Sequence, residues 1–220
     1  MIELKGVTKA YKLGGEEIYA LNNVDLTIKD GDFVAIMGPS GSGKSTLANI
    51  IGGLDEPDAG KVLVDSEDIS QAGDKALSFY RNKKIGFIFQ SFNLQTGYTA
   101  LENVMIPLVF AKVSGGARKE RAIACLKAVG LEDRMNHRPD QLSGGQRQRV
   151  CVARALANNP KIIIADEPTG NLDSKRGQEI VALLKELNKS GGITLVVITH
   201  DPDVAKEADR VIKIQDGKIS

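Results

Sequence analysis

No stretch of this chain approaches the roughly 20 apolar residues that cross a bilayer. The opening MIELKGVTKAYK carries charges where a secretion signal needs an apolar centre, so the sequence predicts no such signal. Cysteine is scarce: Cys125 and Cys151 lie far apart on predicted helices. That excludes a disulfide framework and a cysteine metal site, and predicts buried, reduced thiols in a cytosolic protein. Histidine is scarcer in function than in number; of His137 and His200, His137 reads as polar surface. Charge of one sign is missing too. With 29 basic and 28 acidic residues the net charge is +1, so no global field draws the chain to nucleic acid or anionic lipid.

What is present is a core. Hydrophobic residues make up 42% of the 220, enough for one large α/β domain or a core with a subdomain. The segment GPSGSGKST holds Gly38, Pro39, Ser40, Gly41, Ser42, Gly43, Lys44, Ser45 and Thr46, and fits the phosphate-binding pattern G-x-x-x-x-G-K-[ST]. The apolar run Phe33 to Met37 before it reads as a buried strand. Leu47 to Ile51 after it reads as a helix ending at Gly52-Gly53. Glycine suits this turn because backbone N–H groups must wrap a triphosphate at close range, aided by the positive end of the helix. Lys44 is then expected on the β- and γ-phosphates, and the Ser45 hydroxyl on Mg²⁺.

Around this loop the chain alternates. Residues 1–32 read as strands, with a polar connection from Lys12 to Glu17. Tyr11, just before it, either packs on the first strand or stacks on a base. Lys61 to Val64, Ile85 to Phe89, Lys161 to Glu167, Thr194 to Thr199 and Arg210 to Gln215 read as strands, and Lys75 to Arg81 as a helix. Gln90 leaves one strand end, either capping a turn or ligating Mg²⁺. From Ser91 to Asn158 helices dominate: Leu101 to Phe110, Arg118 to Val129 and Gly145 to Leu156. Within them LSGGQ (Leu142 to Gln146) opens a helix, as an N-cap or as a second anion site. Asp166 and Glu167 close a buried strand beside the phosphate loop. Asp166 fits a Mg²⁺ partner, and Glu167, one residue on and pointing to the other side, a proton acceptor. Asp173 opens the helix Ser174 to Ser190, and His200 leaves a core strand where a γ-phosphate sensor belongs.

Taken together, GPSGSGKST, Gln90, LSGGQ, IIIADEP, NLD and His200 resemble, in order and spacing, the ATP-binding-cassette (ABC) ATPases over nearly the whole chain. GFIFQSFNL, ENV, DEPTGNLDS and VITHD look closest to the subgroup serving lipoprotein-release and macrolide-export permeases. The resemblance implies an α/β fold: a P-loop NTPase (RecA-like) core at about 1–90 and 159–220, an antiparallel β subdomain, and an inserted helical subdomain at about 91–158. It implies ATP and Mg²⁺ as cofactors, with Ser45, Gln90 and Asp166 at the metal. It implies catalytic roles for Lys44, Gln90, Glu167 and His200, and makes Tyr11 an adenine stacker. It also implies a second copy of the chain, whose ATP would meet Ser143, Gly144, Gly145 and Gln146, with Asp173 bridging the two. A separate membrane permease would dock near Gln90 to Glu102 and hold the protein on the inner face of the cell membrane. Cys151 departs from the family's small apolar residue, with no functional effect expected. The competing readings are a DNA-maintenance ATPase, which long heptad coils would mark and which are absent between Lys44 and Leu142, and a scaffold whose hydrolysis is secondary. The sequence stops at Ser220, just after the last predicted strand, which leaves a trimmed tail open.

Overall fold

The computed structural model describes residues 1–219; Ser220 and the question of a trimmed tail lie outside them. Strands β1 (Ile2–Leu13) and β2 (Glu16–Ile28) form a hairpin across Gly14 and Gly15. Then come β3 (Phe33–Met37), α1 (Lys44–Ile51), β4 (Ala59–Val64), β5 (Glu67–Asp68), α2 (Asp74–Lys84) and β6 (Ile85–Ile88). Three helices follow: α3 (Ala100–Phe110), α4 (Gly115–Ala128) and α5 (Gly144–Leu156). The chain ends with β7 (Ile162–Asp166), α6 (Ser174–Gly191), β8 (Thr194–Ile198), α7 (Pro202–Lys206), β9 (Arg210–Gln215) and β10 (Lys218–Ile219). Among the described residues no helix is long and apolar enough to cross a membrane.

Two sheets result. One is four-stranded and antiparallel, in the order β2-β1-β4-β5. The other is six-stranded, β10-β9-β3-β8-β7-β6, parallel except for its terminal hairpin. Strands β3, β7 and β8 are apolar without alternation because both faces of the parallel sheet are covered. Successive side chains enter different cores. Val34, Ile36, Ile164, Val196 and Ile198 pack with α1 and the antiparallel sheet. Phe33, Ile163, Leu195 and Val197 pack with α3, α4 and α5. This division is the physical basis of the α/β core with its helical layer.

The boundaries expected from sequence shift in a few places. Helix α2 runs past Arg81 to Lys84, where basic residues favour the helix C-terminus. Helix α4 starts at Gly115 rather than Arg118, behind Ser114. Helix α7 has no counterpart among the expected helices; Pro202 starts it, with the Asp201 carboxylate accepting from the Asp203 N–H. Of the two cysteines expected to be buried, Cys151 is and Cys125 is only half-buried.

The glycines of the phosphate loop answer to more than a ligand. A Cβ on Gly38 would lie 2.1 Å from the Ile214 carbonyl of β9, and one on Gly43 the same distance from the Ala20 carbonyl of β2. Gly43 also has φ of +104°. Gly41 has positive φ with open space around it. Gly43→Ala is therefore expected to cost roughly 3 kcal/mol or more, and Gly41→Ala about 1 kcal/mol, since only the first adds overpacking to the left-handed penalty. Urea denaturation of the two variants measures the difference; equal losses would refute it.

Candidate active site

Parallel strands put their C-terminal ends along one edge, and here that edge carries the chemistry. Strand β3 delivers the Gly38–Thr46 loop and β6 delivers Gln90. Asp166 and Glu167 come from β7, and His200 from β8. The pairing Ile36↔Ile198, Asp166↔Ile198 and Ile88↔Ala165 sets these ends side by side. They line a cleft of about 410 Å³. Its walls are Gly38, Pro39, Ser40, Gly41, Lys44, Ser45, Gln90, Asp166, Glu167, Ile198 and His200.

The loop is held from behind. The Gly217 N–H, in the β9–β10 turn, donates to the Ser42 carbonyl (3.1 Å), and the Leu47 N–H donates to the Gly43 carbonyl (2.8 Å). Lys44 Nζ donates to the carbonyls of Gly38 (2.9 Å) and Pro39 (2.7 Å), which fixes its ammonium over the loop. Asp166 is half-buried, and burial pushes its carboxyl above the usual value. The Ser45 hydroxyl bonded to it pulls the other way, and the neighbouring Glu167 carboxylate adds to the rise. A carboxylate in this position gains from a cation. Ser45, Asp166 and Gln90 present only oxygen donors alongside one amide nitrogen, the set that a hard ion such as Mg²⁺ takes.

Glu167 does not point away from Asp166, as strand alternation predicted. Strand β7 ends at Asp166, and Glu167 adopts φ of +48°. Its N–H donates to the Ile198 carbonyl (3.0 Å), and its own carbonyl accepts from the Gly170 N–H (3.1 Å). The left-handed turn swings the carboxylate into the same cleft. There Glu167 Oε1 meets His200 Nδ1 at 2.8 Å. That bond raises the His200 pKa above its ordinary 6.5. The folded-state value being the higher, the pair's contribution to stability is full below pH 6.5 and fades as pH rises through the shifted value. Glu167→Gln should return the His200 titration, followed by NMR, towards 6.5; an unmoved titration would mean another group causes the shift.

Several expected site residues stand outside the cleft walls. Ser42 is buried beneath the loop, and its hydroxyl finds no partner among the described residues. Tyr11 is 38% exposed, and its hydroxyl donates to Asp55 Oδ2 at 2.6 Å. Thr46 also bonds that hydroxyl, which anchors the ring beside α1 with Lys9 Nζ 5.5 Å from its centroid. Ser143, Gly144, Gly145 and Gln146 are absent from the cleft walls altogether. They form the tip of α5, where the Ser143 N–H donates to Gln146 Oε1 (2.9 Å) and the Gln146 N–H to Ser143 Oγ (3.3 Å). Asp173 caps α6, its carboxylate accepting from the Arg176 N–H (3.0 Å). His137, read as surface, is half-buried against Arg134 at 3.1 Å.

The ABC transporter family profile matches residues 21–170. The chain belongs to the ABC transporter family. It is 57% identical to the ABC transporter ATP-binding protein MJ0796 of Methanocaldococcus jannaschii, covering all of this chain and 95% of that one. It is 48% identical to the macrolide export ATP-binding/permease protein MacB of Rhodopirellula baltica, covering all of this chain but 32% of that longer one. A solved structure described as a dimeric post-hydrolysis state of the ATP-binding cassette MJ0796 bound to ADP and Pi superposes with a TM-score of 0.92 at 55% identity. It covers all of this chain and 97% of that one.

Some contacts of this cassette had no sequence signal. Asn171 Nδ2 donates to the Gln90 carbonyl at 2.7 Å. The Leu172 and Arg176 side chains press on Gly144 and Gly145, each 3.3 Å from where a Cβ would stand. An apolar groove of about 600 Å³ runs between α2–β6 and α3–α5, lined by Phe87, Phe89, Ile106, Pro107 and Phe110 among others. Of the stretch Gln90 to Glu102, only Asn93 lines it. Apolar residues on α3 and β6 decide its location, and spacing along the sequence does not reveal that pairing.

Proposed function

We propose that this cassette is the ATP-hydrolysing subunit of a membrane transport system. Two copies would pair head to tail, so that the phosphate loop of one and the LSGGQ tip of the other enclose each ATP. One observation carries this reading. A single chain holds two anion-type sites, the Gly38–Thr46 loop and the Ser143–Gln146 helix tip, and the second lines no part of the first's cleft. A second copy supplies the missing wall. The dimeric state of the MJ0796 cassette, described as bound to ADP and Pi, supports it.

The cleft residues divide the work. Lys44 and the loop N–H groups hold the β- and γ-phosphates. Ser45, Asp166 and Gln90 hold Mg²⁺, which when bound neutralises the charge developing on the phosphates. Glu167 accepts a proton from the water whose oxygen attacks the γ-phosphorus as the bond to the bridging oxygen breaks. His200 turns from Glu167 to the γ-phosphate. Tyr11 stacks on the adenine, and Asp173 reaches the partner copy. Residues 91–158 act as the helical subdomain, and the groove beside Phe110, which is 74% exposed, takes a segment of a permease. Through it the cassette sits at the cytoplasmic face of the membrane. The MacB relative, whose name joins an ATP-binding and a permease function in macrolide export, supports an export-type partner. Light scattering with ATP and Mg²⁺ tests the reading. Doubling of the mass on ATP but not on ADP supports it, and a mass that ATP leaves unchanged, in wild type and in Glu167→Gln, overturns it.

A further inference from the structure

The Gln90 segment turns sharply after the cleft. Phe92 and Asn93 are both left-handed, with φ of 56° and 50°. Neither is glycine, so the turn persists only where its surroundings fix it. Those surroundings come from one helix, α5. Arg154 forks onto the turn, donating from Nη2 to the Phe92 carbonyl (2.7 Å) and from Nη1 to the Asn93 carbonyl (2.6 Å). The Cys151 thiol donates to the same Phe92 carbonyl, with Sγ 3.2 Å away. One turn earlier, the Arg147 guanidinium lies 5.1 Å from the Phe92 ring centroid. Cys151 is fully buried and both bonds to the Phe92 carbonyl are part-buried, so water competes little there, while the bond to the Asn93 carbonyl is exposed.

The three clamping residues share their helix with the LSGGQ tip. A second strut joins the same parts from the other side. Asn171 holds the Gln90 carbonyl, while Leu172 and Arg176, from the same loop and helix, pack on Gly144 and Gly145. Gln90, the Phe92–Asn93 turn and the LSGGQ tip are thus one bonded body within a chain. Arg154 and Asn93 also line the apolar groove, so whatever docks there touches the clamp.

We infer that Arg154 and Cys151 are positioning residues for the nucleotide bound by the other copy. They lock helix α5, which carries the LSGGQ tip, to the Phe92–Asn93 turn, and so fix the aim of the tip that closes the other copy's site. This inference rests on the sandwich reading above. Arg154 and Cys151 grip backbone carbonyls, so their hold tolerates side-chain change at residues 92 and 93, whereas the Arg147 contact needs the Phe92 ring. It also gives Cys151 a role where the family's small apolar residue offers no donor.

The test uses the full chain in a Glu167→Gln background and reads two quantities. One is the ATP concentration that half-dimerises the protein; the other is ADP affinity at the phosphate loop. Adding Arg154→Ala is expected to raise the ATP requirement about tenfold, with ADP affinity within about twofold, because a charged fork onto two carbonyls is lost while the loop is untouched. Arg154→Lys, which keeps the charge but not the fork, should recover part of the loss. Cys151→Ala should shift the ATP requirement by about two- to threefold, as one weak donor is removed. Should Arg154→Ala fail to fold, the lysine and Cys151→Ala variants carry the test alone. Dimerisation at the parental ATP concentration in the Arg154 variants, or ADP affinity falling in step with it, overturns the clamp. Absence of any dimer in Glu167→Gln itself would instead overturn the sandwich.

Discussion

Glu167→Gln should reduce ATP turnover by about a thousandfold while leaving ATP binding intact, the range expected when a positioned general base is lost. The side chain is nearly isosteric, and the left-handed turn that aims it is set by backbone bonds to Ile198 and Gly170, which the substitution leaves alone. The amide cannot take the proton from the attacking water. Turnover should therefore collapse in kcat, with little change in the ATP concentration that saturates the protein. Single-turnover phosphate release measures the chemistry, and a fluorescent-nucleotide titration measures binding. Retention of more than about a tenth of the rate would remove Glu167 as the base, since such a loss is within reach of a positioning effect.

Lys44→Ala should fail at an earlier step. Its ammonium is fixed over the loop by the Gly38 and Pro39 carbonyls, where a phosphate would meet it without reorganisation. Removing a charged donor from a phosphate site costs about 2–3 kcal/mol, or roughly a hundredfold in nucleotide affinity. Isothermal titration with ATP and with ADP should show weakening of both. Unchanged affinity would mean that the Gly38–Thr46 turn is not the phosphate site. The two variants thus separate binding from chemistry: one binds and does not turn over, the other scarcely binds.

Much of this was legible in the sequence because it is local. The phosphate loop is one contiguous segment between a strand and a helix, and each part has its own pattern. Strands β3, β7 and β8 announced themselves as apolar runs because both sheet faces are buried. The site's grouping followed from the rule that parallel strands share one functional edge. What was not legible depends on backbone conformation and on contacts distant in sequence. Strand alternation sent Glu167 away from Asp166, and a positive φ, which no neighbouring glycine advertises, brings it back. The glycines at 38 and 43 read as space for phosphate, whereas the carbonyls of Ile214 and Ala20 already forbid a side chain there. The Cys151 hydrogen bond had no signal in the sequence, because its partner is a carbonyl on the far-off Gln90 turn. The groove beside Gln90 was not legible in its full extent, since its apolar walls come from α3 and β6.

The claim that one copy's loop and another's LSGGQ tip share an ATP is tested most directly by mixing two inactive chains. Lys44→Ala disables a loop, and Ser143→Arg blocks a tip. A dimer containing one of each has one site with both defects and one site with neither. Each variant alone should hydrolyse ATP near background, and the mixture should regain hydrolysis in proportion to the mixed dimer formed. If the mixture stays as inactive as its parts, with both variants folded, the two sites do not meet across copies and the account is wrong.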